Sequence, residues 1–483
     1  MKNQFLLAIG LQISIAQLTF GQVDDKKKES QLISSLGTEK NQIHVLASKK
    51  NNEEVKRGAT SEDASPTGLP QTSAELGVVI SAVDTLSPLE DSQEVAEKGK
   101  LSISGYIDSY YFTNFNNPAS RDNMGVSGVG RGFDRKVDQF ALGMVQTVFT
   151  YSNDKSEAVL DLAYGPNAQY GNYGNVPTSF PAYGYQFGKE DSFSALIIKQ
   201  AYFNYHVTER LTFTLGQFGT HLGYEFIDAP LNFFYTINHT FNSGIPFYHT
   251  GLKSSYAFSD KVSLMLGIVN GFDYVQDNNR SKGLIGQLSI KPVEDFQIYL
   301  NYINTNESNA DDQGNTPNGN FTVYDLNGGY QLTNKFFIGY WYMLGTQRGA
   351  LGSPGTFIPA DGDVVNTKTW YGANLYFTYA LTDFVDLGMR AEHFNNEDGA
   401  RGLRNYDIKS ASFIGASVNT LTLTGNLKLA DGHLLLKPEL RLDVFQKVPE
   451  GGTEQGSQQF MDSKGLFTKN SQTTLGIAAI YKF

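Results

Sequence analysis

The chain has 483 residues, with 27 Tyr, 33 Phe and 49 Gly, no Cys, and a formal net charge of -11. These numbers exclude a disulfide framework, a thiolate metal site and a cysteine nucleophile, and the acidic balance lacks the basic face that general nucleic-acid binding needs. Hydrophobic residues reach only 40% while aromatics reach 13%, a mixture that suits strands, where flat and β-branched side chains fit a pleated surface.

The chain opens with "MKNQFLLAIGLQISIAQLTFGQ", in which Lys2 precedes an apolar stretch from Phe5 to Phe20. Gln12, Ser14 and Gln17 interrupt that stretch, and it falls short of the ~20 apolar residues of a spanning helix. Residues 1–22 therefore read as a secretory signal peptide. From Val23 to Lys100 there is no Phe, Tyr or Trp, and charge runs alternate with Ser, Thr, Pro and Gly clusters. Such a segment buries too little apolar surface to offset chain entropy, so residues 23–99 read as a flexible polar periplasmic arm. Within it, Asp84–Leu86 ("DTL") resembles a bacterial O-glycosylation acceptor, a short pattern that recurs by chance.

Residues 100–483 carry a repeated punctuation. In "TYSNDKSEAVL", "NYHVTERLTF", "GYQLTNKFFI" and "LKLADGHLLL" a β-like run stops at a short polar break and restarts at once, as a tight antiparallel hairpin requires. Breaks of this kind centre near Asp154, Glu209, Asp260, Glu294, Asn334, Asp383 and Asp431. They divide the body into units of strand, longer polar loop, strand and tight turn. The expectation is an all-β transmembrane antiparallel β-barrel of about 16 strands, with short periplasmic turns and long extracellular loops.

The strands support a barrel in lipid. "LLLKPELRLDVF" sets Leu434, Leu436, Leu440, Leu442 and Val444 against Lys437, Glu439, Arg441 and Asp443, and "FVDLGMRAEHF" alternates in the same way. Strands of about 9–11 residues match a tilted bilayer crossing. Tyr and Phe crowd the strand ends, as aromatic girdles do. The parity of apolar residues slips near Asn419 and around Lys199 and Gln200, where bulges are expected. The chain ends "TTLGIAAIYKF"; Tyr481 and the terminal Phe483 resemble an outer-membrane assembly signal, which makes the barrel-assembly machinery an expected partner.

The stretch from Leu215 to Phe258, with "GQF", "LGYE", an Asn before aromatics and "PFYHTG", resembles the signature region of the putative β-barrel porin-2, OmpL-like family. The likeness spans residues 101–483 and leaves the arm outside. It implies an outer-membrane pore for passive diffusion and does not imply a particular solute.

Candidate site residues follow from pore chemistry, in which pore size and lumen-facing charges set selectivity. The segment "THLGYEFIDAPLNFFYTINHTFNSGIP" is too apolar for a solvated loop. Folded inward, it would place Glu225, Asp228, Asn232 and His239 at a constriction, with Phe233, Phe234 and Tyr235 on the wall; the alternative is packing over the mouth or against a neighbouring protomer. Asp386, Arg390 and Glu392, with Lys437, Glu439, Arg441 and Asp443, face the lumen as a ladder of opposite charges that either orients solutes or is structural. Tyr106, Asp108 and Tyr110 also point inward, suiting sugar stacking or an ordinary polar wall.

Catalytic patterns are missing: there is no GxSxG or HExxH, "GVSGVGRG" lacks the strand-then-helix context of a phosphate loop, and Asp361 and Asp363 in "ADGD" read as a solvated loop. No catalytic residue, metal or cofactor is expected. The leading reading is a porin of the bacterial cell outer membrane, with a water-filled channel for small hydrophilic solutes or ions, embedded in outer-membrane lipid; the architecture suggests a homotrimer. Its alternatives are a substrate-selective sugar or peptide channel, a barrel enzyme, for which His206 and His249 lack a nucleophile motif, and a structural barrel.

Overall fold

The structure, a computed structural model, describes residues 78–80, 99–127, 130–171, 198–275, 277, 279–307, 319–348, 350–351, 357–358, 367–407, 412–448 and 458–483. The signal-peptide stretch, "DTL" and "ADGD" lie outside the described residues.

Long strands account for most of what is described. They are β1 (Lys100–Asn114), β2 (Phe140–Ser152), β3 (Ser156–Tyr164) and β4 (Ile198–Thr208). Next come β5 (Leu211–Gly219), β6 (Tyr248–Ser259), β7 (Val262–Val269) and β8 (Gly283–Ile290). The second half holds β9 (Phe296–Asn306), β10 (Asn320–Gln331), β11 (Phe336–Arg348) and β12 (Thr367–Ala380). The last four are β13 (Val385–Asn396), β14 (Ser412–Leu429), β15 (Leu434–Phe445) and β16 (Ser471–Lys482). Each pairs antiparallel with its neighbours in sequence, and Ile107 of β1 faces both Val145 of β2 and Tyr481 of β16, so the sheet closes on itself. The result is a closed antiparallel 16-strand barrel with almost no helix.

One end of the barrel carries the tight connections, and they fall where the sequence places its polar breaks. Side chains at the head of each turn hold the backbone, as Asx and Ser/Thr turns do. Asn153 Oδ1 accepts from the amides of Lys155 and Ser156, Thr208 Oγ1 from Leu211, Thr333 Oγ1 from Phe336, and Thr382 Oγ1 from Val385. Between β14 and β15, Asp431 and Gly432 take left-handed φ of 55° and 86°.

Burial is inverted relative to a soluble protein, because lipid solvates the outside. On β15, Leu440 is 39% exposed while its neighbours Glu439 and Arg441 are 1% and 0% exposed. Tyr151, Tyr205, Tyr256, Tyr379, Tyr481 and Phe483 form an exposed aromatic row at the turn end, and Phe115, Phe140 and Tyr164 lie exposed at the other.

Of the two parity slips, one is a bulge. Asp161 faces Gln200 while Leu162 faces Ile198, so Lys199 is the extra residue. No bulge occurs near Asn419: β14 stays in register with β13 across His393↔Asn419 and with β15 across Val444↔Asn419. The apolar parity changes there because the barrel interior is itself apolar at that height, where Ala416 and Val418 pack into a buried core. The stretch read as an arm also contains a strand. Val78–Ile80 pairs with Leu101–Ile103, where β1 runs past the last residue of β16 and offers an open edge.

Candidate functional site

The connection from β5 to β6, residues 220–247, does not stand above the barrel. It crosses the interior and meets the inner faces of strands all around the wall. Gly223 N–H donates to Asp325 of β10 at 3.2 Å, and Tyr224 stacks on Tyr376 of β12 with centroids 4.1 Å apart. Tyr235 and Thr236 donate their amides to Glu439 of β15, and His239 and Thr240 donate theirs to Glu392 of β13. Lys437 donates to the carbonyls of Ala229 and Asn232. A short helix, His239–Gly244, forms within the segment, capped by Asn238, whose side-chain oxygen accepts from Phe241 N–H. Phe233, Phe234, Ile237, Phe241 and Ile245 supply the apolar side of the segment and join Trp341, Trp370 and Phe394 of the wall in one core.

Most of the ladder of charges, Arg390, Glu392, Lys437, Glu439 and Asp443, therefore contacts this segment. Arg390 lies 2.6 Å from Glu225, and both are fully buried. Asp228 lies 2.6 Å from Lys199, whose ammonium is also 3.0 Å from Asp161 of β3. Asn232 bonds both ways to the backbone of Phe226. His239 Nε2 sits 3.4 Å from Asp443 and its ring meets Phe445 edge-on. Tyr106 O–H reaches toward Asp228 at 3.4 Å, Asp108 accepts from Tyr235 O–H at 2.7 Å, and Tyr110 packs on the Tyr235 ring. Asp386 stands apart from the segment, paired at 2.7 Å with Lys428 at the turn end. All the lumen-facing residues named from the sequence thus lie on the inner face.

A second layer is not visible in the strand pattern. The connection from β1 to β2 also folds inward and lies on the segment: Arg131 donates to Ile237 C=O and lies 2.6 Å from Asp443, Asp134 pairs with Arg441 at 2.5 Å, and Asn242 donates to Gly130 C=O. The Arg in "GVSGVGRG" was the available signal, since a lone charge in a Gly-rich loop needs a partner if buried. Lys199 was missed as a site residue for another reason: a bulge turns it inward, against simple alternation.

A polar-walled, lipid-faced barrel with an inward segment sets the terms for comparison with known proteins. The model of the family described as putative beta-barrel porin-2, OmpL-like, matches residues 100–483. The chain belongs to that family. This porin accordingly sits in the outer membrane of a bacterial cell, and the family points to a channel rather than an enzyme. No curated protein matches the sequence. Among solved structures, OmpT of Vibrio cholerae is similar at 11% identity and a TM-score of 0.45, covering 80% of this chain and 98% of that one. The outer-membrane channel DcaP of Acinetobacter baumannii is similar at 9% identity and 0.47, covering 80% and 98%. An anion-selective porin from Comamonas acidovorans is similar at 9% and 0.47, covering 80% and 100%.

The porin interior is filled unevenly. Against β12–β15 the inner wall is buried, down to Thr378, Thr424 and Lys437. Against β2–β6, toward the turn end, Val148, Thr150, Glu157, Asn204, His206, Thr212 and Lys253 keep partial exposure on the inner face, while Thr214 and Ser255 among them are buried. Cross-strand hydrogen bonds hold this wall, with Asn204 linking Glu157 at 2.9 Å to Thr214 at 2.7 Å, and His206 meeting Thr212 at 3.0 Å. Between the segment and β1 remains a cavity of about 10 Å³ lined by Tyr106, Asp108, Asn232 and Tyr235, room for one water.

Proposed function

We propose that this porin passes small hydrophilic solutes and ions by passive diffusion along the β2–β6 wall, with the inward segment as its constriction. The observation that carries the reading is the ion triad at the border of that wall. Lys199 serves two carboxylates, Asp161 at 3.0 Å and Asp228 at 2.6 Å, which leaves one negative charge in excess where solute must pass. Charges lining a narrow, low-dielectric passage set which ions enter, so the channel prefers cations mildly. Glu225 and His239 act by holding the segment, through Arg390 and Asp443 respectively, and Asn232 by fixing its turn at Phe226.

The barrel forms a homotrimer in this reading, consistent with the trimer form described for OmpT of Vibrio cholerae, and the barrel-assembly machinery recognises the strand ending in Tyr481 and Phe483. The test is planar-bilayer recording of the detergent-refolded mature chain. Stable current steps that no single sugar or peptide blocks are expected. Saturable block by one sugar or peptide would replace passive diffusion with a substrate-selective channel.

A further inference from the structure

At the loop end of the barrel, one guanidinium lies among three aromatic rings. Arg401, on the connection that follows β13, places its guanidinium carbon 4.9 Å from the centroid of Phe272, 5.2 Å from Phe321 and 5.3 Å from Trp370. Arg401 itself is only partly buried, whereas all three rings are within 2% of complete burial. The rings hold one another at an angle, Phe272 to Phe321 at 60° and Phe321 to Trp370 at 46°, so they make a cup rather than a stack. The ring of Trp370 and the backbones of Phe272 and Phe321 are held independently of Arg401. Trp370 Nε1–H donates to Gly244 C=O at 2.9 Å, the amide of Phe272 donates to Glu307 at 2.9 Å, and Phe321 is locked in the register of β10 against Gln347.

We propose that this cup is a binding subsite for organic cations, a guanidinium or quaternary ammonium group carried by a solute, and that Arg401 occupies it as a resident stand-in. The proposal rests on the channel reading only in that solutes reach the loop end of the barrel, where Arg401 is partly exposed, and the cup lies apart from the β2–β6 wall. Aromatic faces attract delocalised or bulky cations most when the site is desolvated, and a cage of rings is the usual form of such a site. The rim chemistry agrees with the same ligand class. Arg401 Nε–H donates to Ser243 C=O at 2.7 Å, an acceptor that any guanidinium could use. Beside Phe272, whose amide donates to Glu307, lie two buried carboxyls, Asp273 and Glu307, which burial pushes toward the protonated form, so the attraction of the cup for a cation comes from its ring faces.

The stand-in is carried on the turn that follows β13, outside the strand ladder. Asn396, the last residue of β13, accepts from Arg401 N–H at 2.9 Å and donates to Arg401 C=O at 3.0 Å, and Gly399 takes a left-handed φ of 65°. These contacts position the backbone of the turn; the side chain reaches the cup beyond them. A solute cation competes with a group tethered at high effective concentration, so its apparent affinity for the wild-type chain is reduced by the fraction of time the cup is vacant.

The experiment uses the full mature chain refolded in detergent, titrated with ethylguanidinium and tetramethylammonium chloride, with sodium chloride at equal ionic strength as control. The chain has two Trp residues, so Trp341→Phe leaves Trp370 as the sole reporter of fluorescence; thermal unfolding of Arg401→Ala alone gives a second readout that needs no change at Trp341. Arg401→Ala is expected to show saturable quenching and a raised unfolding temperature with both organic cations, at half-saturation about ten-fold below wild type, and no response to sodium. A response to the organic cations no different from sodium in both readouts overturns the proposal. Saturable binding in a barrel that passes no current would support the cup and count against the channel.

Discussion

Arg390 on β13 and Glu225 on the inward segment meet at 2.6 Å with neither side chain reaching solvent, and Arg390 also donates to Thr236 C=O and Thr422. One guanidinium therefore ties the start of the segment, its middle and two wall strands together. Removing it leaves a buried carboxylate without a counter-charge, which costs about 3–5 kcal/mol. On the proposed reading the freed segment moves toward the β2–β6 side. Arg390→Ala is expected to give larger and noisier single-channel currents in a barrel that still folds, and adding Glu225→Gln to recover part of the wild-type behaviour, a coupling that a double-mutant cycle measures. Unchanged currents in Arg390→Ala would show that this pair does not hold the segment.

The wall leaves room for the segment by omitting side chains. A Cβ placed on Gly372 would lie 2.3 Å from Thr240, and one on Gly388 would lie 2.2 Å from Phe233. Those glycines sit on β12 and β13 with inner faces turned to the segment, where overpacking costs about 1–3 kcal/mol. Gly388→Leu should displace Phe233 while leaving the strand ladder intact. Conductance is expected to rise, and the heat-modifiable shift of the folded barrel on a gel to persist. A fall in conductance would mean the new side chain narrows an already open path.

How much of this could be read in the sequence differs by element. Strand pattern and turn positions were legible because period-2 alternation and Asn, Asp and Thr turn chemistry are local. Inward charges such as Lys437, Glu439, Arg441 and Asp443 followed from the same alternation. Their partners did not: Arg131 and Asp134 come from a loop more than three hundred residues away, and nothing local encodes that pairing. The expected bulge at Asn419 failed because alternation assumes a polar interior, and the inward segment makes part of it apolar. Lys199 was hidden by a true bulge, and the cup around Arg401 by rings drawn from three separate connections and strands.

Two carboxyls at the loop end set a pH dependence. Burial pushes Asp273 up to about 7, against the opposing amide bonds from Phe247 and Tyr248, and pushes Glu307 up to about 8, with Thr305 and the Phe272 amide opposing. Both carboxyls therefore hold protons in the folded state at pH values where the unfolded chain has lost them. Folded stability is fullest below the ordinary carboxylate range and declines as pH rises from there through about 7 and 8, then levels off. The cost is at most about 1.4 kcal/mol per carboxyl for each pH unit crossed. The unfolding temperature is expected to drop between pH 5 and pH 9 by more in wild type than in Asp273→Asn/Glu307→Gln. A steeper drop in the double variant would contradict the assignment.

The central claim is that the segment crossing the barrel, with its excess negative charge at Lys199, Asp161 and Asp228, decides what passes. The most direct measurement is the reversal potential across a bilayer holding the refolded chain in a potassium chloride gradient, for wild type, Asp228→Asn and Lys199→Met. The account predicts a mild cation preference in wild type, a weaker one in Asp228→Asn, where one carboxylate remains for the ammonium, and a stronger one in Lys199→Met, where both carboxylates lose it. Reversal potentials that coincide for all three chains, or a folded barrel that carries no current, would contradict it.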